Sequence, residues 1–313
     1  MKALMIINPM SGMRIMQNNA HQLEKRLLKN GKLTDVRIVY TTGNGDATRV
    51  ASELSPGEYD FVLAAGGDGT VHEVVNGLML SECGIPLLVL GAGTTNDFVG
   101  ALGISNNALA LETYINDFCV RDVDVGICNG KYFLNVASVG MLSDIAHTVT
   151  PEQKSALGKV AYYAQGMMEL GAFKFNTERF KFTTDTEEFE EDVFLFAATN
   201  TRQSGGFRNL APQAKLDDGL LDVFIMRGIR QNDVLPLFGK IQAGTHTTDK
   251  NIRYFQTSSL VVDYAGERGT FAVDCDGEDF GLLPITISVA PRKLKLLVPR
   301  NSAKAKKHFS TPL

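Results

Sequence analysis

Three glycine-bearing loops and two carboxylate clusters are the parts of this 313-residue chain whose residue types and spacing can do chemistry. The densest is Gly66-Gly67-Asp68-Gly69-Thr70. Apolar Val62 to Ala65 run straight into it, and Val71, Val74, Val75 and Leu78 follow at helical spacing. That order predicts a strand, a tight turn and a helix start. Glycines leave room for main-chain N–H groups to approach an anion, and the helix adds the positive end of its dipole, so a phosphate is the natural guest. Asp68 would repel a bare phosphate, so a magnesium-nucleotide complex suits the loop better. Taken alone, the glycines also fit a plain strand-to-helix turn.

Two further loops lie in the same half. Asn8-Pro9-Met10-Ser11-Gly12 follows the apolar run Ala3–Ile7, and Gly91-Ala92-Gly93-Thr94-Thr95-Asn96-Asp97-Phe98 follows Pro86–Leu90. Both sit where a doubly wound sheet holds ligands, outside the carboxyl ends of parallel strands. By itself the first loop reads as an ordinary turn. The P-loop, protein-kinase and dinucleotide signatures are all absent; Gly158-Lys159, for instance, is followed by Val160.

The carboxylates come later. Asp217-Asp218-Gly219-Leu220 offers a carboxylate and turn carbonyls of the kind that hold hard cations, and it also fits a metal-free turn. Asp274, Asp276 and Glu278 alternate, and share one face if their strand continues. Mutual repulsion would then push one of them towards use as a general base. None of the five histidines has the spacing of a nucleophilic triad or a metal site.

The elements that must position these groups change character along the chain. Strands at Ala3–Ile7, Val36–Tyr40, Asp60–Ala65 and Pro86–Leu90 alternate with helices around Gln17–Lys29, Asp46–Leu54 and Val71–Leu80. Such alternation predicts an α/β amino-terminal domain with a doubly wound, mostly parallel sheet. From about Arg121, Asp122–Cys128 and Lys131–Ala137 flank Asn129-Gly130, a strong hairpin signal. Further strands at Arg179–Thr184, Val193–Thr199, Leu220–Met226, Ser258–Asp263, Thr270–Asp274 and Ile285–Ala290 make a β-rich antiparallel carboxyl-terminal domain, interrupted by a helix at Lys154–Leu170. Asp185 to Glu188 read as a turn. Met141, Met167 and Met168 are either core or the lining of a lipid cavity. The expected domains are 1–125 and 126–290.

At 44% hydrophobic content the chain can fill two cores, and no apolar run approaches the ~18 residues that span a bilayer, so a cytoplasmic location is expected. A net charge of −4 argues against a nucleic-acid partner. Cys83, Cys119, Cys128 and Cys275 lack metal spacing and read as reduced core residues. Arg292, Lys293, Lys295, Arg300, Lys304, Lys306 and Lys307 form a basic end that either meets anionic headgroups or is merely solvated; Ala303 to Leu313 are expected to be mobile.

The ordered set Asn8-Pro9-x-Ser11-Gly12, Gly66-Gly67-Asp68-Gly69-Thr70 and Gly91-x-Gly93-Thr94-x-Asn96-Asp97 resembles the diacylglycerol kinase catalytic-domain family, which includes sphingosine and ceramide kinases. The resemblance continues through Leu157-Gly158, Tyr162-Tyr163, Gly205-Gly206-Phe207, Ala211-Pro212 and Lys215 to Asp222, ending at Asp276-Gly277-Glu278. The glycine motif alone also resembles NAD kinases and phosphofructokinases. The resemblance implies an ATP-dependent lipid kinase with its active site in an interdomain cleft, and a segment 291–313 that crosses back to complete the first domain. Asn8, Pro9, Ser11, Gly12, Thr41, Gly66, Gly67, Asp68, Gly69, Thr70, Thr94, Asn96 and Asp97 would surround the nucleotide. Asp68 and Asp97 would organise catalytic Mg2+, while Asp218, with main-chain oxygens of Lys215 and Leu220, would hold a structural Mg2+. Asp276 is the first choice of proton acceptor, with Glu278 beside it. The implied partners are ATP and a lipid such as diacylglycerol, with transient contact to a membrane surface; a homodimer stays open. The alternatives are a kinase of a soluble acceptor such as NAD, or a catalytically silent nucleotide- or lipid-binding regulator.

Overall fold

The structure, a computed structural model, describes residues 1–10, 15–91, 97–102, 104, 117–140, 177–204, 207–267 and 269–311. The chain forms two compact units, one of residues 1–125, 215–218 and 290–313, the other of residues 126–214 and 219–289.

In the first unit, β1 (Lys2–Ile7), α1 (Ile15–Lys29), β2 (Asp35–Tyr40), α2 (Asp46–Ser52), β3 (Phe61–Gly66), α3 (Asp68–Ser81), β4 (Leu87–Gly91) and α4 (Asp97–Leu102) alternate. The strands pair in parallel in the order β2-β1-β3-β4. All six residues of β3 and the last five of β1 are buried, as expected where helices cover parallel strands and unbroken apolar runs replace alternation. Edge strand β2 is half exposed. Helices α2 and α3 pack closely at Gly77, where a Cβ would come within 2.5 Å of both the Ala51 methyl and the Thr48 carbonyl.

The chain enters the second unit along β5 (Phe118–Cys128) and turns at Asn129-Gly130, with φ 46° and 81°, into β6 (Lys131–Phe133). Positive φ at both turn positions matches the twist of an antiparallel hairpin. There follow β7 (Val136–Gly140), β8 (Glu178–Thr184), β9 (Glu188–Thr199), β10 (Leu221–Arg227), α5 (Gln231–Ala243), β11 (Ile252–Thr257), β12 (Ser259–Tyr264), β13 (Ala272–Cys275), β14 (Glu278–Leu282) and the long β15 (Ile285–Pro299). Among the described residues, the pairings of β5 with β6, β7 with β9 and β13, β8 with β9 and β12, β10 with β9 and β11, β12 with β15, and β13 with β14 are antiparallel. Phe133, Phe182, Phe196, Val223, Leu260 and Ile287 fill its main core, and Phe224, Leu237 and Ile241 anchor a second core beneath α5. Among the described residues all four cysteines are free. Cys128 and Cys275 are fully buried, and burial pushes the Cys275 thiol up.

The last strand returns to the first unit, where Leu296 pairs in parallel with Leu87 of β4, and α6 (Ala303–Lys306) follows. The carboxyl-terminal segment is docked, which corrects the expectation of a mobile end: Ala305 is fully buried, and Phe309 and His308 are buried beside it. Apolar side chains at 305 and 309 anchor a segment whose charge pattern alone suggested solvent. The stretch 154–170 and Met141, Met167 and Met168 lie outside the described residues.

Candidate active site

Gly66 ends β3 opposite Gly91 of β4, and α3 begins two residues later at Asp68. Gly66 is glycine for a local reason: a Cβ there would lie 2.4 Å from the Cβ and Oγ1 of Thr70. The Thr70 side chain therefore folds back over the turn, buried, and its Oγ1 accepts a hydrogen bond from Asn8 Nδ2 at 3.2 Å. Asn8 also donates its main-chain N–H to the Ala65 carbonyl at 2.9 Å, and its Oδ1 accepts from Met10 N–H at 2.9 Å. The Thr41 N–H reaches the Ile7 carbonyl at 3.0 Å. Asn8, Pro9, Thr41 and Gly66 to Thr70 thus meet along the carboxyl edge of β2, β1 and β3, where a parallel sheet holds ligands.

Gly67 is the N-cap of the 14-residue α3 and supplies no side-chain cap, so the positive end of that helix faces the same edge. Asp68 is half-buried in the first turn. Asp97 opens α4; its side chain, with Ser11, Gly12, Thr94 and Asn96, lies outside the described residues.

Sequence reasoning missed Glu73. Its carboxylate leaves α3 to accept the N–H groups of Gly45 at 2.9 Å and Ala47 at 3.0 Å, capping α2 and making that helix start unavailable to a phosphate. A lone glutamate at that position carries no sequence signal. Gly77, mid-helix, was the visible sign that α2 and α3 approach closely.

In the second unit the strand does not continue through Asp276. Asp276 and Gly277 have φ 57° and 93° and form the two-residue turn between β13 and β14, with Cys275 opposite Glu278. Residues 274, 276 and 278 therefore do not line one strand face, and the Asp-Gly pair was the available signal. The Asp276 carboxylate accepts three main-chain N–H groups, from Leu134 at 2.6 Å, Asn135 at 2.9 Å and Val136 at 3.0 Å. The same 134–136 segment is held from its other side. Asn200 binds the Leu134 and Asn135 carbonyls, and the Thr201 hydroxyl binds Asn135 Oδ1. Glu278 is exposed on β14, and its carboxylate has no hydrogen-bond or ion-pair partner among the described residues.

At the third cluster the neighbouring aspartates divide. Asp217 is buried, and its carboxylate accepts Ser310 N–H at 2.6 Å, Arg121 Nη2 at 3.3 Å and the Thr311 hydroxyl at 3.3 Å. Asp218 is half-buried, followed by Gly219 at φ 74°. Lys215 to Asp218 belong to the first unit and Leu220 to the second. Among the described residues no three His, Cys, Asp or Glu side chains gather as metal ligands, so any cation here relies mainly on main-chain oxygens.

The first unit is thus a parallel α/β unit with a glycine turn at its carboxyl edge, and the second is an antiparallel β unit. Residues 2–128 match the family model of the diacylglycerol kinase catalytic domain, and residues 135–298 match that of the YegS C-terminal NAD kinase beta sandwich-like domain. The chain is 34% identical to a diacylglycerol kinase of Bacillus subtilis (strain 168) over 304 residues, 96% of this chain and 98% of that one. It is 30% identical to a diacylglycerol kinase of Staphylococcus epidermidis over 301 residues, covering 96% and 93%. Two solved structures from Bacillus anthracis str. Sterne superpose with TM-scores of 0.81 and 0.72, at 28% and 25% identity. Both comparisons cover 95% of this chain, and 95% and 96% of the others, and the second structure is described as a diacylglycerol kinase. The chain belongs to the diacylglycerol kinase family and is a lipid kinase. Among the described residues no helix is long and apolar enough to cross a membrane.

Proposed function

We propose that this protein transfers the γ-phosphoryl group of ATP to a hydroxyl of diacylglycerol or a related lipid. The observation that carries the reading is the turn Gly66 to Thr70 at the start of α3, locked to Asn8 through the Thr70 hydroxyl. The main-chain N–H groups of Gly67 and Gly69 take the phosphates, with Asn8, Pro9, Ser11, Gly12, Thr41, Thr94 and Asn96 around the rest of the nucleotide. Phosphoryl transfer asks mainly for positioning and for neutralised oxygens.

Asp68 and Asp97 suit a cation brought in by the nucleotide, and the Asp218 turn suits a second, structural one: hard oxygen donors fit Mg2+. The positive φ of Gly219 allows the tight turn that can aim the Lys215 and Leu220 carbonyls with the Asp218 carboxylate. Mg2+ would neutralise the developing charge on the phosphate oxygens.

Of the two candidate bases we assign proton acceptance to Glu278, whose carboxylate is exposed, and a positioning role to Asp276, whose oxygens already accept three N–H groups. Exposed Lys293, Lys295, Arg300, Lys306 and Lys307 support transient contact with anionic lipid, at about 1 kcal/mol per basic residue near the surface.

A soluble acceptor is the second reading, favoured by the NAD kinase-like β-sandwich match. Purified protein is tested with ATP against diacylglycerol, phosphatidylglycerol, sphingosine, undecaprenol and NAD. The lipid reading expects turnover of a lipid alcohol and none of NAD; turnover of NAD alone overturns it.

A further inference from the structure

Lys215 to Asp218 are four residues of the first unit set in sequence between two stretches of the second, and β5, β15 and the segment 305–311 all bond to them. The Leu216 N–H donates to the His308 carbonyl at 2.8 Å, and its carbonyl accepts from Asp124 N–H at 2.6 Å. The Lys215 ammonium donates to the Lys307 carbonyl at 2.8 Å. Asp217 is gripped at both ends: its carboxylate by Ser310, Thr311 and Arg121, its carbonyl by Arg292 Nε at 3.3 Å and Nη2 at 3.1 Å. Arg121 also covers the buried Phe309 ring at 4.8 Å. Arg292 has φ 52°, an unfavourable backbone for a non-glycine residue, held by its N–H bond to the buried Asp124 carboxylate at 2.8 Å. None of these groups is needed to hold a nucleotide at the glycine turn, yet all converge on the turn next to Asp218.

We propose that residues 305–311 are a strap that positions the Lys215–Asp218 turn, and that its contacts with Asp217 set the affinity of that turn for a divalent cation. The inference rests on the cation reading of Asp218 given above. Asp217 acts as a positioning residue: its carboxylate is held by Ser310, Thr311 and Arg121, which fixes the turn that carries Asp218. Supports outside the ligand set commonly change metal affinity by about 10–100-fold when removed.

The experiment titrates Mn2+ into the full chain without nucleotide, reading free Mn2+ by electron paramagnetic resonance, and follows amide exchange of residues 215–218 in the metal-free protein. Ser310→Pro removes the N–H that binds Asp217. Thr311→Val is the milder variant, losing only a hydroxyl, and remains informative if the proline variant does not fold. The inference expects at least about tenfold weaker Mn2+ binding in Ser310→Pro, a smaller loss in Thr311→Val, and faster exchange of the Leu216 amide in both. Parental Mn2+ binding that both variants retain overturns the strap. A parent that binds no Mn2+ overturns the cation reading itself, and with it the role assigned to the strap.

Discussion

The side-chain amide of Asn8 donates to the Thr70 hydroxyl at 3.2 Å, tying the first glycine-bearing loop to the turn that starts α3. With the Asn8 N–H on the Ala65 carbonyl, the bond fixes the relative position of two segments proposed to share one nucleotide. A single hydrogen bond of this kind contributes about 0.5–1.5 kcal/mol. Asn8→Ala is therefore expected to raise the KM for ATP by roughly two- to tenfold with kcat little changed, as steady-state kinetics will show. A loss confined to kcat would contradict a nucleotide-positioning role.

Gly66→Ala should be among the most damaging small substitutions, because the added methyl meets Thr70 at 2.4 Å. Overpacking a close contact costs about 1–3 kcal/mol, read as a lowered urea midpoint together with weaker ATP binding. Adding Thr70→Gly removes the clashing side chain and should recover much of the midpoint but not the binding. A single variant as stable as its parent would contradict the packing role.

Asp276→Asn and Glu278→Gln should separate by kind of damage. Replacing Asp276 sets an amide N–H2 against main-chain N–H groups, so about 1–3 kcal/mol of stability goes with activity. Glu278→Gln should leave the unfolding midpoint in place while kcat falls by about 10²–10⁴-fold, the usual worth of a proton acceptor. Near-normal turnover in Glu278→Gln would return that role to Asp276.

His246 supplies a pH dependence. It is fully buried, with Nε2 at 2.9 Å from the Leu210 carbonyl and its ring edge-on to Phe224 and Tyr254; burial holds its pKa below the ordinary 6.5. The folded state therefore prefers the neutral ring. Its contribution is complete above pH 6.5 and is lost as the pH falls through the lower folded value. The urea midpoint should drop below pH 6.5 in the parent and drop less steeply in His246→Gln. Parallel curves would contradict it.

What the sequence disclosed follows from how far apart the determinants lie. Strands such as Phe61–Gly66 are buried along their whole length and announce themselves as apolar runs, and Asn129-Gly130 encodes its own hairpin. Helix α5 was missed because Pro236 interrupts it, and β11 because its burial does not alternate. Asp276-Gly277 carried a turn signal that the alternating acids obscured. Asp217 read only as part of an Asp-Asp-Gly turn because its partners Arg121, Ser310 and Thr311 lie 96, 93 and 94 residues away. No local pattern can register a buried charge completed at that distance.

The most direct measurement follows the label from γ-³²P-ATP in protein incubated with diacylglycerol vesicles, for the parent and for Asp68→Ala and Glu278→Gln. The expected result is label in the organic phase for the parent and near background for both variants, each folded by circular dichroism. Label that stays in the aqueous phase for the parent, or lipid labelling that survives Asp68→Ala, would contradict the proposed chemistry.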